Sequence, residues 1–422
     1  MKKILFLTDM WSPKPTANSI CVQNIASVLQ KRGWKVYINA FEGKEGQTKE
    51  SVDGIEIEYT RPSFPRFLLT KAVYTSNAMY KSFLNKAGLI CNRFSRLMFL
   101  PAYPVAAPLF AKKWSERIRK QVVENDIDIV VSVNAPFDSL ATGYLVKKKM
   151  PNIKWIAYYI DSGTNYGKEQ TFLSLKKALQ KKAVKWENKI LSLADKIVIM
   201  EGHKHYYEKA LNTSNKSKMT VLNVPLFDVH NISSKEADSK KHEKEIWTYM
   251  GSIRTGFYDP QKLFSWFREY CKSHKAELHL YGATNMEKWL QQNCDNQIIF
   301  YHGLIGHDKV DEILKESDVL LYFLSERLDS VSGKFFEYLM YQKPIVYFGF
   351  RNDINWVQII KYPLGIALDE SSQKLEIDLE VIKKYSCNTS KDLLRKLYYN
   401  STPDAFVDII EKFKSDEDEG KL

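Results

Sequence analysis

The chain has 422 residues, a hydrophobic fraction of 44% and a formal net charge of +12. This length exceeds what one ordinary hydrophobic core requires, so two domains of about 200 residues each are expected. The five cysteines are scattered and form no CxxC pair, which argues against a disulfide framework or a zinc site and favours a reducing cytoplasm.

The sequence predicts neither a secretory signal nor a membrane span. The apolar run after Lys2 and Lys3 is too short for a signal peptide and predicts a first buried strand. The apolar segment 99–110 carries three prolines and is shorter than the roughly 18 residues that a membrane span needs. We therefore expect a cytoplasmic protein, either free or peripheral on the cytoplasmic face of the membrane.

Residues 1–225 predict a parallel sheet with helices on both faces. Short apolar runs alternate with helical patterns at 18–32, 139–149 and 173–193. The predicted strands are 4–7, 35–40, 127–133, 155–160 and 196–200. Gly33 follows the first helical pattern and is expected to end that helix. Ligands of such Rossmann-like sheets bind outside the carboxyl ends of the strands.

Positive charge is concentrated between Arg61 and Lys120. This segment holds twelve Lys or Arg and one acid, Glu116, so it carries +11 of the net charge. Its aromatic residues are Phe64, Phe67, Tyr74, Tyr80, Phe83, Phe94, Phe99, Tyr103, Phe110 and Trp114. Interleaved basic and aromatic side chains suit the interface of an anionic membrane, and they would also suit nucleic acid. A solvated helical face over a core stripe is the third interpretation.

A second series of strands follows a polar, charged stretch at 231–245, which predicts a loop next to an interdomain linker. The predicted strands are 247–250, 277–281, 297–301, 319–323 and 345–348. They indicate a second Rossmann-like domain at 226–402, followed by a helix and tail at 403–422 that Thr402-Pro403 begins. The predicted fold class is α/β, with two doubly wound parallel sheets facing across a cleft.

Asp329 and Glu337 surround the predicted start of a helix in the second domain. The helix follows the apolar strand 319–324 and a polar loop in which Ser330 or Ser332 is the candidate N-cap. Free backbone N–H groups at a helix start favour an anion such as a diphosphate. Carboxylates beside phosphates are better suited to accept hydrogen bonds from sugar hydroxyls. The local chemistry therefore indicates a nucleotide-sugar.

This stretch resembles the donor-binding motif of retaining GT-B glycosyltransferases of family four, in which two Glu residues are separated by seven. Glu337, in Gly333-Lys334-Phe335-Phe336-Glu337-Tyr338-Leu339, matches the second Glu, which the resemblance implies binds the ribose. Asp329 stands where the first Glu, implied to contact the donor sugar, is expected, and its side chain is one methylene shorter. The resemblance implies sugar transfer with retention, without a metal or other cofactor.

Other strand ends match the same family. Gly251-Ser252-Ile253-Arg254 resembles the loop in which an Arg and a nearby Lys hold the diphosphate, and Lys262 is the nearest later Lys. Lys334 lies in a first helical turn, where a cation opposes the helix dipole and a bound phosphate would explain it. The resemblance places base contacts at His302-Gly303-Leu304. It gives Asp161, at the end of strand 155–160, an orienting role toward the donor sugar.

Asp126-Ile127-Asp128 has the DxD form of metal-dependent sugar transferases, but its acids are expected to lie in a loop before a buried strand. No metal ligand is assigned. No GxGxxG follows the first strand, which disfavours a nicotinamide enzyme.

Together these features predict a glycosyltransferase that moves a hexose or N-acetylhexosamine from a nucleotide-sugar, with UDP-sugars favoured. The expected acceptor is a lipid-linked saccharide of cell-surface or exopolysaccharide synthesis, at an anionic membrane surface and without nucleic acid. Two alternatives stay open at this point. One is a nucleotide-sugar epimerase of the same architecture, and the other is a non-enzymatic protein that binds nucleic acid.

Overall fold

A computed structural model describes residues 2–12, 15–43, 46–98, 107–134, 136–161, 163, 176–228, 243–256, 258–326, 331–369, 372 and 389–419. The chain forms two compact units, one of Met1–Asn223 with Phe406–Leu422 and one of Val224–Ala405. The first of these segments ends at Asn223, two residues before the predicted domain boundary at 225. Sequence patterns had set 403–422 apart as a helix and tail, whereas Phe406 onward belongs to the first unit.

The first unit contains one eight-stranded sheet. Its strands are β1 (Lys3–Met10), β2 (Lys35–Phe41), β3 (Lys49–Val52), β4 (Ile55–Thr60), β5 (Ile129–Asn134), β6 (Lys154–Tyr159), β7 (Lys196–Met200) and β8 (Met219–Leu222). Their order is β3-β4-β2-β1-β5-β6-β7-β8, and every neighbouring pair is parallel except β3 with β4. Since β1 pairs with both β2 and β5, the topological switch point of this sheet lies between β1 and β5.

Helices connect these strands. They are α1 (Ala17–Lys31), α2 (Phe64–Tyr74), α3 (Ala78–Met98), α4 (Pro108–Asn125), α5 (Phe137–Lys149), α6 (Lys176–Leu191), α7 (Lys204–Ala210) and α8 (Thr213–Lys216). The Thr16 hydroxyl caps α1 by accepting the Ser19 N–H at 3.3 Å. Gly33, at φ +80°, ends the same helix, which confirms the prediction for that residue.

The central strands of this sheet are nearly continuous apolar runs, because helices cover both faces. All six residues of β5 are buried, as are five of the six in β6. The predicted strand at 127–133 begins two residues later, at Ile129, since Asp126 adopts a left-handed conformation at the end of α4. Within the described chain, no helix is long and apolar enough to cross a bilayer. None of the four described cysteines forms a disulfide.

The second unit contains a six-stranded, all-parallel sheet. Its strands are β9 (Glu245–Met250), β10 (Ala276–Tyr281), β11 (Ile299–Gly303), β12 (Val319–Phe323), β13 (Ile345–Gly349) and β14 (Gly365–Asp369). Its helices are α9 (Gln261–Tyr270), α10 (Glu287–Asn293), α11 (Val310–Glu316), α12 (Gly333–Leu339), α13 (Ile354–Ile359) and α14 (Lys391–Tyr398). The strand order is β11-β10-β9-β12-β13-β14, so the switch point lies between β9 and β12.

Trp247 of β9 anchors the core of this unit. It is fully buried, and the rings of Trp266, Phe267 and Tyr270 from α9 lie 5.2–6.0 Å from it. Rings at these separations fill the space between helix and sheet with large apolar surface.

Strand β11 starts later than the sequence pattern indicates. The prediction was 297–301, but Asp295 Oδ1 accepts the N–H groups of Gln297, Ile298 and Ile299, so a turn occupies the first of these positions. The strand also ends later, at Gly303, so His302 lies inside β11 and not in the loop after it.

The C-terminal helix α15 (Pro403–Glu419) begins directly after Thr402, as predicted. Phe406 packs against Phe6 and Tyr158, with ring centres 6.5 Å and 4.4 Å apart. Arg32 pairs with Asp408 at 2.7 Å. These contacts attach α15 to the sheet of the first unit.

Candidate active site

Gly251 and Lys334 meet at the switch point of the second sheet. Gly251 follows β9, and Lys334 lies in the first turn of α12, the helix that follows β12. A Cβ atom at Gly251 would overlap Cε and Nζ of Lys334. Only glycine therefore lets this lysine cross the end of β9, and the contact joins two segments that the sequence analysis had assigned to phosphate binding separately.

Gly282, which follows β10, also permits a close contact that a larger residue would block. A Cβ there would overlap the Gly251 carbonyl oxygen, and the φ of +140° disfavours any other residue. The Gly282 N–H donates to the Gly303 carbonyl at 2.8 Å, and the Gly251 N–H donates to the Tyr281 carbonyl at 2.7 Å. The ends of β9, β10 and β11 thus form one continuous, closely packed backbone edge.

Two cations approach one tyrosine ring at this edge. The Arg254 guanidinium lies 5.3 Å and Lys334 Nζ lies 5.5 Å from the centre of the Tyr258 ring. Burial lowers the pKa of Lys334. The negative charge of Glu337 raises this pKa, and the positive charge of Arg254 lowers it. An anion in contact with both cations would offset the burial and the repulsion.

The loop after β9 holds Arg254 through its backbone. The buried Ile253 donates its N–H to the Ala283 carbonyl at 2.9 Å, and the Arg254 N–H donates to the Tyr258 carbonyl at 3.1 Å. The Tyr249 hydroxyl donates to the Ser252 carbonyl at 2.8 Å. The Arg254 side chain itself is exposed and can reach a ligand.

Helix α12 presents Glu337 on its exposed side. The opposite side buries Phe335, Phe336, Tyr338 and Leu339. The Tyr338 hydroxyl accepts the Met250 N–H at 2.9 Å, which ties α12 to the end of β9. Glu337 is one turn beyond Lys334, so a carboxylate and an ammonium project from neighbouring positions of this helix.

Ser332 is the N-cap of α12, one of the two predicted candidates, but its side chain makes no capping hydrogen bond. Its N–H donates instead to Asn355 Oδ1 at 2.9 Å, so a buried residue of α13 fixes the start of α12. Gly333 follows as the first helical residue. The other candidate, Ser330, and the predicted sugar-contacting Asp329 both lie outside the described residues.

The predicted base-binding segment lies at the end of β11. Leu304 is 80% exposed directly after Gly303. The His302 ring stacks on Tyr281 at 4.4 Å, and its Nε2 lies 2.9 Å from Nδ1 of His279. Burial lowers the pKa of His302, and the neighbouring His279 lowers it further. His302 therefore belongs to a row of stacked rings beside the glycine edge.

Asp161 lies in the other unit, at the carboxyl end of β6. Its Oδ2 accepts from Asn18 Nδ2 at 3.1 Å, and its carbonyl accepts from Asn134 Nδ2 at 3.0 Å. Asn18 lies in the first turn of α1 and Asn134 is the last residue of β5, so Asp161 lies near the switch point of the first sheet. The following loop is held at Gly163, whose N–H donates to the Tyr207 hydroxyl at 2.8 Å.

The DxD segment is structural. Asp128 Oδ2 accepts the Lys3 N–H at 2.8 Å, and Asp126 lies 3.5 Å from Lys3 Nζ. Both acids precede β5, at the end of the sheet opposite its carboxyl edge. In the part of the chain that the structure describes, no group of three His, Cys, Asp or Glu side chains could hold a metal ion.

Sequence reasoning missed Tyr258 and Gly282. Gly282 had a signal, since a glycine directly after an apolar strand indicates a close backbone approach. Tyr258 had none, because an aromatic residue in a loop is equally compatible with core packing. Lys262, the nearest later lysine after the Arg254 loop, is exposed on α9, and it is Lys334 that shares the Tyr258 ring with Arg254.

Sequence comparison finds no matching protein family and no matching curated protein. Solved structures match at low identity over nearly the whole chain. A glycosyltransferase from Rickettsia africae has a TM-score of 0.60 and 12% identity, and the match covers 98% of each chain.

Two further structures are informative. A lipopolysaccharide outer core galactosyltransferase has a TM-score of 0.57 at 12% identity, over 97% of this chain and 99% of its own. An Anabaena protein in complex with UDP and glucose has a TM-score of 0.51 at 13% identity, over 100% of each chain. These likenesses establish the fold, and the predicted GT-B class with two Rossmann-like parallel-sheet domains is confirmed.

Proposed function

We propose that the protein is a retaining glycosyltransferase that moves a hexose or an N-acetylhexosamine from a nucleotide-sugar to an acceptor. The observation that carries the proposal is the approach of Arg254 and Lys334 to one ring at the switch point of the second sheet. Two cations held this close repel each other, and a diphosphate in contact with both would offset that repulsion.

The proposed chemistry follows from the charge that develops on the leaving group. When the bond between the anomeric carbon and the terminal phosphate breaks, negative charge grows on the phosphate oxygen. Arg254 and Lys334 stabilise that charge more strongly in the transition state than in the bound donor, which is the condition for acceleration. The two cations supply the role that a divalent metal would otherwise fill, so the proposal needs no metal.

Retention follows from a front-face displacement. The departing phosphate oxygen takes the proton of the acceptor hydroxyl while the acceptor oxygen bonds to the anomeric carbon on the same face. No protein base is needed in this scheme. Asp161 therefore orients the donor sugar and does not act as a nucleophile.

The donor is held by residues around the same edge. Glu337, exposed one turn beyond Lys334, accepts hydrogen bonds from the ribose hydroxyls. Residues His302–Leu304 contact the base, and Asp329 contacts the sugar. A UDP-sugar is the favoured donor, which the UDP bound in the Anabaena structure of the same fold supports.

The proposed acceptor is a lipid-linked saccharide of surface polysaccharide assembly. The lipopolysaccharide galactosyltransferase of the same fold supports this class of acceptor. Two cations beside a carboxylate suit departure of a diphosphate, whereas an epimerase needs an acid and a base at the sugar carbon. For this reason transfer is preferred to the epimerase alternative.

The test is donor turnover with and without EDTA. Released nucleoside diphosphate is expected from one nucleotide-sugar, with largely unchanged rates in EDTA, because Arg254 and Lys334 replace the metal. NMR of the product should give the anomeric configuration of the donor. An inverted product, or turnover that EDTA abolishes and Mg²⁺ or Mn²⁺ restores, would contradict the proposal.

A further inference from the structure

Helices α2 and α3 pack against each other in the first unit. Gly88 lies so close to α2 that a Cβ there would be 2.8 Å from Leu69 Cδ2 and 3.1 Å from the Pro65 carbonyl oxygen. Leu84, one turn earlier, is 3% exposed. These residues define the packed face of the 21-residue α3.

A neighbouring side of α3 exposes large apolar side chains. Met79, Phe83, Ile90, Phe94 and Met98 are each 52–83% exposed. They are spaced by four, seven, four and four residues, which places them within an arc of about 100° on a 3.6-residue helix. We call these five residues the α3 stripe, and it extends along about 28 Å of the helix.

The stripe is part of an unusual concentration of exposed apolar surface. Of the seventeen large apolar side chains that are exposed in the described chain, ten lie between Phe64 and Leu109. Isolated exposed apolar residues are ordinary, but a contiguous row indicates an interaction surface. The row is flanked along its length by the exposed side chains of Lys86 and Arg93.

Charge identifies the kind of partner. Helix α3 carries four basic residues and no acid, in a chain of net charge +12. A second copy of this face would therefore bring cations against cations. The α3 stripe therefore lies beside positive charge, and an anionic surface is the complementary partner.

We propose that the α3 stripe docks the first unit onto an anionic lipid bilayer, with α3 lying in the plane of the interface. The stripe enters the boundary between headgroups and acyl chains, while Lys86 and Arg93, which flank it, meet the lipid phosphates. This surface is formed by the first unit alone and does not depend on the donor site of the second. It would place a lipid-linked acceptor at the same membrane.

The test is vesicle co-sedimentation of the full chain on phosphatidylcholine alone and with 30% phosphatidylglycerol. The wild type is expected to bind the acidic vesicles at least tenfold more tightly than the neutral ones, and added NaCl should weaken this binding. Phe83→Ser with Phe94→Ser should lose at least tenfold of the binding to acidic vesicles, as should Lys86→Gln with Arg93→Gln. Backbone hydrogen exchange should slow in Ala78–Met98 when vesicles are added.

The matched control replaces exposed apolar residues of the second unit, Ile360→Ser with Leu397→Ser, which are 59% and 38% exposed in the wild type. This variant should bind vesicles as the wild type does. All variants should keep wild-type affinity for nucleoside diphosphate, which separates this proposal from the proposed function. Equal binding to neutral and acidic vesicles, no binding, or a dimer that Phe83→Ser with Phe94→Ser converts to a monomer would overturn the assignment.

Discussion

Lys334→Met is expected to lower kcat/KM for the donor by about 10²- to 10³-fold, the usual effect of removing one group that stabilises developing negative charge. Methionine matches the lysine side chain as far as Cε and removes the ammonium group, so most of the packing beside Gly251 should be preserved. Steady-state kinetics of nucleoside diphosphate release measure the loss. Lys262→Met, an exposed lysine on α9, is the control and should retain wild-type activity.

Gly251→Ala should reproduce much of this loss while leaving Lys334 in the sequence. The added methyl group overlaps the lysine side chain and must displace it from the edge. If the two changes act on one contact, the double variant should lose no more than Lys334→Met alone. Fully additive losses would show that Gly251 acts by another route.

The lowered pKa of Lys334 predicts a pH effect on binding. Burial places this pKa below its ordinary value of 10.5, and a diphosphate favours the charged form of the lysine. Affinity for nucleoside diphosphate should therefore fall as pH rises through the lysine pKa of the free protein. Lys334→Met should lack that fall, and a parallel fall in both proteins would exclude Lys334 as its cause.

Glu337→Ala is expected to weaken nucleoside diphosphate binding by about 10- to 150-fold, because hydrogen bonds to a charged group contribute about 1.5–3 kcal/mol. The side chain is exposed, so the variant should unfold at the wild-type temperature. Calorimetric titration gives the affinity, and thermal unfolding gives the stability. Glu312→Ala, an exposed glutamate on α11, serves as the control.

An unchanged dissociation constant in Glu337→Ala would refute the ribose contact. A loss of affinity accompanied by a lower unfolding temperature would assign Glu337 a structural role instead. Because a ribose contact exists in both the ground and the transition state, KM should rise more than kcat falls.

The two sheets were predictable because their strands are unusually clear in the sequence. Strands β12 and β13 are fully buried five-residue runs, and helix α12 between them begins where a serine and a glycine indicate it. The course of α15 was not predictable. Phe406 reads as an ordinary apolar helix position, and nothing local specifies that it packs on Phe6 and Tyr158, more than 240 residues away.

The site was predictable only in parts. The residues that follow strand ends or begin a helix identified Gly251, Arg254 and Lys334 separately. A short sequence pattern indicates the chemistry of its own segment and not which other segment it contacts. The contact between Gly251 and Lys334 spans 83 residues and arises from the strand order, which places β9 beside β12. Helix periodicity likewise could not separate the exposed stripe of α3 from a core stripe, because both repeat at the same spacing.

The central claim is that the second unit binds a nucleoside diphosphate between Arg254, Lys334 and Glu337. Thermal unfolding of the wild type, Lys334→Met and Glu337→Ala with UDP, ADP, GDP, CDP and TDP tests it most directly. A ligand that binds only the native state adds about 2.7 kcal/mol of stability at a concentration of 100 times its Kd. We expect one nucleotide, UDP in the first instance, to raise the wild-type unfolding temperature by several degrees, with much smaller shifts in both variants. No shift with any nucleotide, or equal shifts in all three proteins, would contradict the account.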